Sequence, residues 1–239
     1  MGPGAQASTL GRRQNLHGSH STRVLLKHGK SSWMREHVTD PYVRRARAEG
    51  YRSRAAFKLL EIARSDKLLR PGMRVVELGS APGSWTQVAA RAVGPSGRVF
   101  AADRVDMEPL SGVYFLQADL LSPPGMERLV QALEGRPVDL VLSDMAPNLS
   151  GVSATDQTRS RELCELALEF ARQHLKPGGV LLVKAFQGSG FPEFMAAMRR
   201  SFDVVVSRKP GASRGRSSEM YLLGKGFRPE ARPESPADA

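Results

Sequence analysis

Short apolar runs interleaved with segments of helical spacing constrain this chain more than any other feature. Arg74–Leu78, Arg98–Asp103, Val113–Gln117, Val138–Ser143 and Val180–Lys184 are near-continuously apolar. Between and after them, Trp85–Ala92, Glu127–Leu133, Thr158–Leu175 and Pro192–Arg200 repeat apolar residues at helical spacing. Asp203–Ser207 and Tyr221–Gly224 read as two closing strands. Strands this apolar need cover on both faces, which a mostly parallel sheet with crossover helices supplies. The expected architecture is a doubly wound α/β fold. Lys176-Pro-Gly-Gly179 reads as a helix stop before the fifth strand.

Upstream, Arg54–Ala63 predicts an amphipathic helix with Phe57, Leu60 and Ile62 on its apolar side, and Ser32–Arg47 is weakly helical. Arg70-Pro-Gly72 predicts a turn. The expected division is a basic arm over 1–31 without periodicity, a domain over 32–227 and a disordered tail over 228–239. Within the domain, 32–70 forms a helical lead-in, and 71–227 the α/β core.

The net charge of +11 is unevenly placed. Residues 1–70 carry 15 Lys and Arg against 5 Asp and Glu, whereas residues 71–239 carry 20 against 19. A basic arm beside a near-neutral body points to a polyanion held through its phosphates. A solvated, solubilising tail is the plainer alternative. A transit peptide is the weaker one, because basic residues continue through Arg44, Arg45, Arg47, Arg52 and Arg54. The single cysteine, Cys164, excludes an intrachain disulfide and a thiolate zinc cluster. No apolar run approaches a membrane span, and the first residues lack a secretory h-region. A cytoplasmic protein without a membrane partner is therefore expected. His17, His20, His28 and His37 are too scattered to suggest a metal site.

In a doubly wound sheet, ligands gather at the carboxyl ends of the strands. There the chain places Gly79-Ser80-Ala81-Pro82-Gly83-Ser84-Trp85 after the first strand, Asp103 after the second, Asp119 after the third, Asp144 after the fourth and Lys184 at the fifth. Two glycines let backbone approach a ligand at a helix N-terminus, although such turns are often structural. Asp103 suits a hold on ribose hydroxyls, and Asp119 an adenine amino group; either could instead be a turn residue. Trp85 either stacks on a base or fills the core. The loop lacks the dinucleotide pattern G-x-G-x-x-G, so a nucleoside without phosphates, S-adenosylmethionine foremost, fits it better. Lys184 closing an apolar strand is costly to bury unless paired, or else it snorkels to the surface. Lys58 and Glu219 complete a set of two lysines and two acids whose convergence spacing alone does not establish.

The segments Arg52-Ser-Arg-Ala-Ala-Phe-Lys-Leu59, Glu77-Leu-Gly-Ser-Ala-Pro-Gly-Ser-Trp85, Ser143-Asp-Met-Ala-Pro-Asn148, Lys184-Ala-Phe-Gln-Gly188 and Ser218-Glu-Met-Tyr221 together resemble the FtsJ/RrmJ family of S-adenosylmethionine-dependent RNA ribose 2′-O-methyltransferases. The resemblance runs from about Ser32 to Phe227 and implies that the 32–70 lead-in faces RNA. It implies a Rossmann-like methyltransferase fold and methyl transfer to the ribose 2′-hydroxyl of a uridine in large-subunit ribosomal RNA, in the assembled 50S particle, by a monomer needing no metal. Alternatives on the same chain are methylation of tRNA or another RNA, or an RNA-binding assembly protein with a vestigial donor site. It also implies a catalytic set of Lys58, Asp144, Lys184 and Glu219, with Lys184 accepting the proton. Donor contacts would fall on Gly79, Ser80, Ala81, Pro82, Gly83, Trp85, Asp103, Asp119 and Asp144. Glu77 departs from the family's usual Asp and Ser84 from its frequent Gly, so altered loop detail with activity retained is expected.

A ribose hydroxyl becomes nucleophilic only as its proton leaves, and a lysine accepts that proton only when neutral. Asp144 would hold Lys184, Lys58 polarise the hydroxyl oxygen and Glu219 position the lysines or the ribose. Arg208, Lys209, Arg214 and Arg216, with the basic residues of 35–54, are expected to hold phosphates. A small-molecule methyltransferase on the same fold is disfavoured by the basic arm and the lysine pair. Uridine C5 methylation commonly uses a cysteine, and Cys164 sits mid-helix among Leu163, Leu166 and Ala167, where a structural role is expected. Amino-group methylation is disfavoured because Asp144-Met-Ala-Pro147 lacks an aromatic to stack a flipped base. His174 reads as a helix C-terminal dipole residue.

Overall fold

The computed structural model describes residues 40–147, 153–213 and 218–229. The chain enters through two helices, α1 (Pro41–Ala48) and α2 (Ala55–Asp66), before the sheet begins at β1 (Arg74–Leu78). There follow α3 (Ser84–Val93), β2 (Arg98–Asp103), β3 (Val113–Gln117), α4 (Pro123–Ala132) and β4 (Val138–Ser143). The remainder is α5 (Ser153–His174), β5 (Leu175–Phe186), α6 (Phe191–Ser201), β6 (Phe202–Arg208) and β7 (Glu219–Phe227). The strands form one sheet of order β3-β2-β1-β4-β5-β7-β6, in which only β7 runs antiparallel to its neighbours. The chain winds outward from β1 to β3 and returns to β4, so the crevice at the switch point opens between the carboxyl ends of β1 and β4.

Alternation along each strand sorts the side chains onto two buried faces. Val75, Leu140, Leu142, Leu182, Tyr221 and Leu223 pack with Ala56, Leu59 and Ile62 of α2 and with Trp85, Val88 and Ala89 of α3. Val76, Leu78, Val141, Leu181, Val183 and Leu222 face the other way, toward Leu129 of α4, Cys164 and Ala167 of α5, and Phe194 and Met198 of α6. Lys184, Glu219 and Tyr221 share the parity of Leu182 and Leu223, so the sheet turns them toward the α2 side.

Strands β1 to β4 match the sequence-predicted ranges. Helix α4 begins four residues earlier than expected, because Ser122 caps it through a hydrogen bond from Gly125 N (3.3 Å) and Pro123 and Pro124 occupy its first turn. Helix α5 passes into β5 at Leu175 without a loop. The Lys176–Gly179 run is taken up as an irregularity in the β4–β5 pairing between Val138 and Leu140, with Gly178 at φ +74°. In α2 the core residue is Leu59, whereas Leu60 is only partly buried. Of the predicted helical stretch 32–47, residues 32–39 lie outside the described residues, as do the arm 1–31, Asn148, Arg214, Arg216 and the tail from 230.

Candidate active site

The β1–α3 loop is shaped by two glycines that a side chain could not replace. Gly79 adopts φ +80°, and a Cβ there would meet Met145 Cγ at 2.6 Å, because the β4 exit passes directly behind it. Gly83 at φ +102° caps α3 and faces Arg52 and Met107. Asp103, at the tip of β2, accepts hydrogen bonds from Ala81 N (2.9 Å) and Val105 N (2.8 Å), so it holds the loop in place as well as facing the crevice. Asp119 accepts from Leu121 N (3.0 Å) and remains exposed. Gly79, Ala81, Asp103 and Asp119 border a cleft of about 790 Å³, lined also by Pro82, Asp144, Met145 and Leu163, whereas Gly83 is buried outside the lining. That volume is within the range of small-molecule sites.

Beside the cleft, four charged groups from four elements form two ion pairs. Lys58 Nζ of α2 donates to Glu219 Oε1 of β7 at 2.6 Å, both side chains being 13–14 % exposed. Lys184 Nζ of β5 pairs with Asp144 Oδ1 at 3.0 Å and also donates to the Asp144 backbone carbonyl. Tyr221 joins the pairs. Its hydroxyl donates to Asp144 Oδ1 at 2.8 Å and lies 3.4 Å from Glu219 Oε1, and Lys58 Nζ sits 5.8 Å from its ring centroid. Burial, with Asp144 and Glu219 adding to it, pushes the Tyr221 phenol far above its ordinary range, so it is a permanent donor. Burial alone would raise the Glu219 carboxyl. Lys58, then Lys184 and a hydrogen bond from Ser213 Oγ (3.0 Å), outweigh it and keep the group ionised. Glu77, fully buried under α3 and hydrogen-bonded by Thr86 Oγ1 at 2.6 Å, is pushed well up by burial, with Asp144 and Asp103 pushing the same way and the Thr86 hydrogen bond opposing them.

The predicted residues thus fall into two neighbouring groups. Lys58, Asp144, Lys184 and Glu219 converge; Gly79, Ala81, Pro82, Asp103, Asp119 and Asp144 line the cleft. Several expectations change. The Trp85 side chain does not stack in the cleft. It is 2 % exposed, donates Nε1–H to Ala55 O (2.8 Å) and packs on Tyr221 at 5.4 Å, which leaves only its first-turn backbone N–H to face a ligand. Ser80 is buried rather than lining, with an Oγ that has no hydrogen-bond partner. Arg208 forks onto Asp66 through Nε (2.8 Å) and Nη2 (2.9 Å) rather than standing ready for phosphates. His174 sits in the last turn of α5, but burial beside Phe170 lowers its pKa. Cys164 is buried, and its thiol, pushed up to about 12 by burial, donates to Lys184 O at 3.2 Å. Tyr221 and Ser213 were not singled out from the sequence. For Tyr221 the signal was available, since it stands two residues from Glu219 on one strand face.

A sheet in this order, with a glycine loop after β1, an acid at the tip of β2 and paired lysines and acids beside the switch point, defines a Rossmann-like methyltransferase. The fold agrees with a Plasmodium falciparum protein described as a ribosomal RNA methyltransferase, which is 30 % identical, covers 74 % of this chain and 98 % of its own, and superposes with a TM-score of 0.66. Residues 51–227 match the FtsJ-like methyltransferase family, and the chain belongs to it. It is similar to the ribosomal RNA large subunit methyltransferase E of Chromobacterium violaceum, at 61 % identity over 198 residues, 83 % of this chain and 97 % of that protein. The protein of the same name from an Azoarcus species is 59 % identical over 205 residues, 85 % of this chain and all of its own. Among the described residues, no helix is long and apolar enough to cross a membrane.

Proposed function

We propose that this protein transfers a methyl group from S-adenosylmethionine to the ribose 2′-hydroxyl of a uridine in large-subunit ribosomal RNA, acting on the assembled 50S particle as a cytoplasmic monomer without a metal. The relatives' names support the substrate class. The observation that carries the chemistry is Asp144, which borders the donor cleft with one side and holds Lys184 with the other. The cleft suits the donor: it has room, acids at or just past two strand ends, and partly exposed backbone at Gly79.

The donor supplies an activated methyl on a sulfonium, so the protein's work is positioning and proton removal. Lys184 points two of its N–H bonds at Asp144, one at the carboxylate and one at the carbonyl. In the neutral amine the lone pair is then directed away from both acceptors, where a 2′-hydroxyl can give up its proton. As the 2′-oxygen bonds to the methyl carbon, the methyl–sulfur bond breaks, and the proton passes to Lys184 Nζ. The ammonium so formed is met by Asp144. Lys58, held by Glu219, stabilises negative charge developing on the oxygen. Exposed Arg44 and Arg47 of α1 supply phosphate contacts on the lead-in.

The test is labelled S-adenosylmethionine with large subunits from cells lacking the protein, followed by nuclease digestion and ribose analysis. Label on a uridine 2′-oxygen, abolished by Lys184→Ala with donor binding retained, is the expected result. Label on tRNA alone would move the target, and loss of donor binding in Lys184→Ala would overturn its role as base.

A further inference from the structure

Arg52 lies in the linker between α1 and α2, within the basic stretch expected to hold RNA phosphates. Its guanidinium is directed elsewhere. Nη1 donates to Pro82 O at 2.9 Å, and Nη2 donates to Glu108 O at 2.7 Å and Pro109 O at 3.2 Å. Pro82 belongs to the glycine loop that lines the cleft. Glu108 and Pro109 follow Arg104, Val105 and Asp106, which line it too. One planar fork therefore ties together two backbone segments that border the cleft.

The linker itself is fastened to α3, so the fork has a fixed origin. Arg52 N donates to Gln87 Oε1 at 2.9 Å, Gln87 Nε2 donates to Gly50 O at 2.9 Å, and the Ser53 and Ser84 hydroxyls are 2.7 Å apart. Gly83 completes the arrangement. A Cβ at that position would run into the Arg52 guanidinium and come within 3.1 Å of Met107 Sδ, so a side chain there would displace the fork, in addition to the strain set by the backbone angle.

Resting on the reading of the cleft as the donor site, we propose that Arg52 is a positioning residue that braces this cleft, and that its contribution is to donor affinity rather than to RNA affinity. Two of the three carbonyls lie on one side of the fork and the third on the other, a geometry that five fixed N–H directions satisfy and a lysine ammonium does not. Losing charge-assisted hydrogen bonds of this kind loosens both segments, and the donor must then order them at its own expense.

Arg52→Lys and Arg52→Met separate the two readings, since lysine keeps the charge and loses the fork. S-adenosylhomocysteine affinity is measured by calorimetry on the full chain, the donor KM and kcat on large ribosomal subunits, and RNA affinity as a function of salt. Both variants should weaken S-adenosylhomocysteine and raise the donor KM by about tenfold, with kcat at saturating donor and the salt slope of RNA binding near wild type. Thermal unfolding midpoints close to wild type show that the loss is local. If Arg52→Lys instead binds donor as wild type while Arg52→Met loses RNA affinity with a shallower salt slope, the residue is a phosphate ligand and the proposal is overturned. Unchanged donor affinity in both variants overturns it as well. Failure of the wild-type protein to bind S-adenosylhomocysteine would overturn the reading of the cleft itself, and the inference with it.

Discussion

Tyr221→Phe removes one oxygen from the point where the two ion pairs meet. The phenyl ring keeps its packing on Trp85 at 5.4 Å and its place beneath Lys58. Neither carboxylate is orphaned by the change: Asp144 Oδ1 retains Lys184 at 3.0 Å, and Glu219 Oε1 retains Lys58 at 2.6 Å and Ser213 at 3.0 Å. The direct loss is the 2.8 Å hydrogen bond from a neutral donor to a carboxylate, worth about 1.5 kcal/mol. At the usual scale for a domain of this size that lowers the melting midpoint by roughly 3–6 °C. The more telling effect is on turnover. The hydroxyl helps to fix the Asp144 carboxylate on which Lys184 rests; without it the pair is held less firmly in the geometry that methyl transfer requires. Since 1.36 kcal/mol corresponds to a tenfold change in rate, the lost bond, expressed in part, lowers kcat by about three- to tenfold. The measurement is kcat at saturating donor and particle for both proteins. A kcat that stays at the wild-type value while the melting midpoint falls as expected would refute the coupling and leave Tyr221 a packing residue.

Asp66→Ala withdraws a carboxylate that is 3 % exposed and is shared by Arg208 and by Lys225 Nζ at 2.8 Å. Both cations are over a third exposed and can rehydrate, so the expected loss is about 2 kcal/mol by urea unfolding rather than the full cost of a broken buried pair. Hydrogen bonding from Arg208, with Lys225, holds the Asp66 carboxyl below its ordinary value against the opposing effect of burial. Its contribution is therefore present above an unfolded value of about 3.9 and is lost as pH falls through the lowered folded one, so the variant's stability should vary less across the acid limb. His174 works in the same sense nearer neutrality: burial lowers its pKa, the unfolded chain takes up the proton first, and stability falls as pH drops below about 6.5. His174→Gln should flatten that stretch of the urea-midpoint profile, and equal slopes in the two proteins would contradict it.

The strands were legible because their signal is local and redundant. An apolar run such as Val138–Ser143 is bounded by what it must cross, and β1 to β4 emerge at the expected residues. Helix ends were less legible, because they depend on single bonds. The Ser122 cap that starts α4 is one hydroxyl, and the passage from α5 into β5 is decided by pairing with Val138 on a strand far away in sequence. The apolar side of α2 was misread by one position because two hydrophobic sites compete for it. Phe57 packs with Ala46 and Ala212 in a small cluster of its own, while Leu59 and Ile62 face the sheet.

At the site, residue type was legible and direction was not. Arg52, Arg54 and Arg208 are all cations in stretches that suggest phosphate binding, and a count of charge treats them alike. Folded, Arg208 answers a buried acid 142 residues away, Arg54 donates to Ala212 O, and Arg52 ties the β1–α3 loop to the segment after β2. Each is fixed by a hydrogen-bond acceptor that the sheet brings from a distant segment, so no local pattern could distinguish them. Lys58 and Lys184 were recoverable for the opposite reason. A lysine amid apolar residues needs an acid, and the acids at strand ends are few. Strand parity goes one step further: Lys184 lies opposite Tyr221, and Phe186 opposite Glu219, in the antiparallel β5–β7 pairing. Given that register, the lysine, the tyrosine and the glutamate must emerge on one face, and α2 is the element that covers it. The antiparallel strand is thus what lets residues 35 positions apart in the chain share a proton network beside the parallel sheet's ligand crevice.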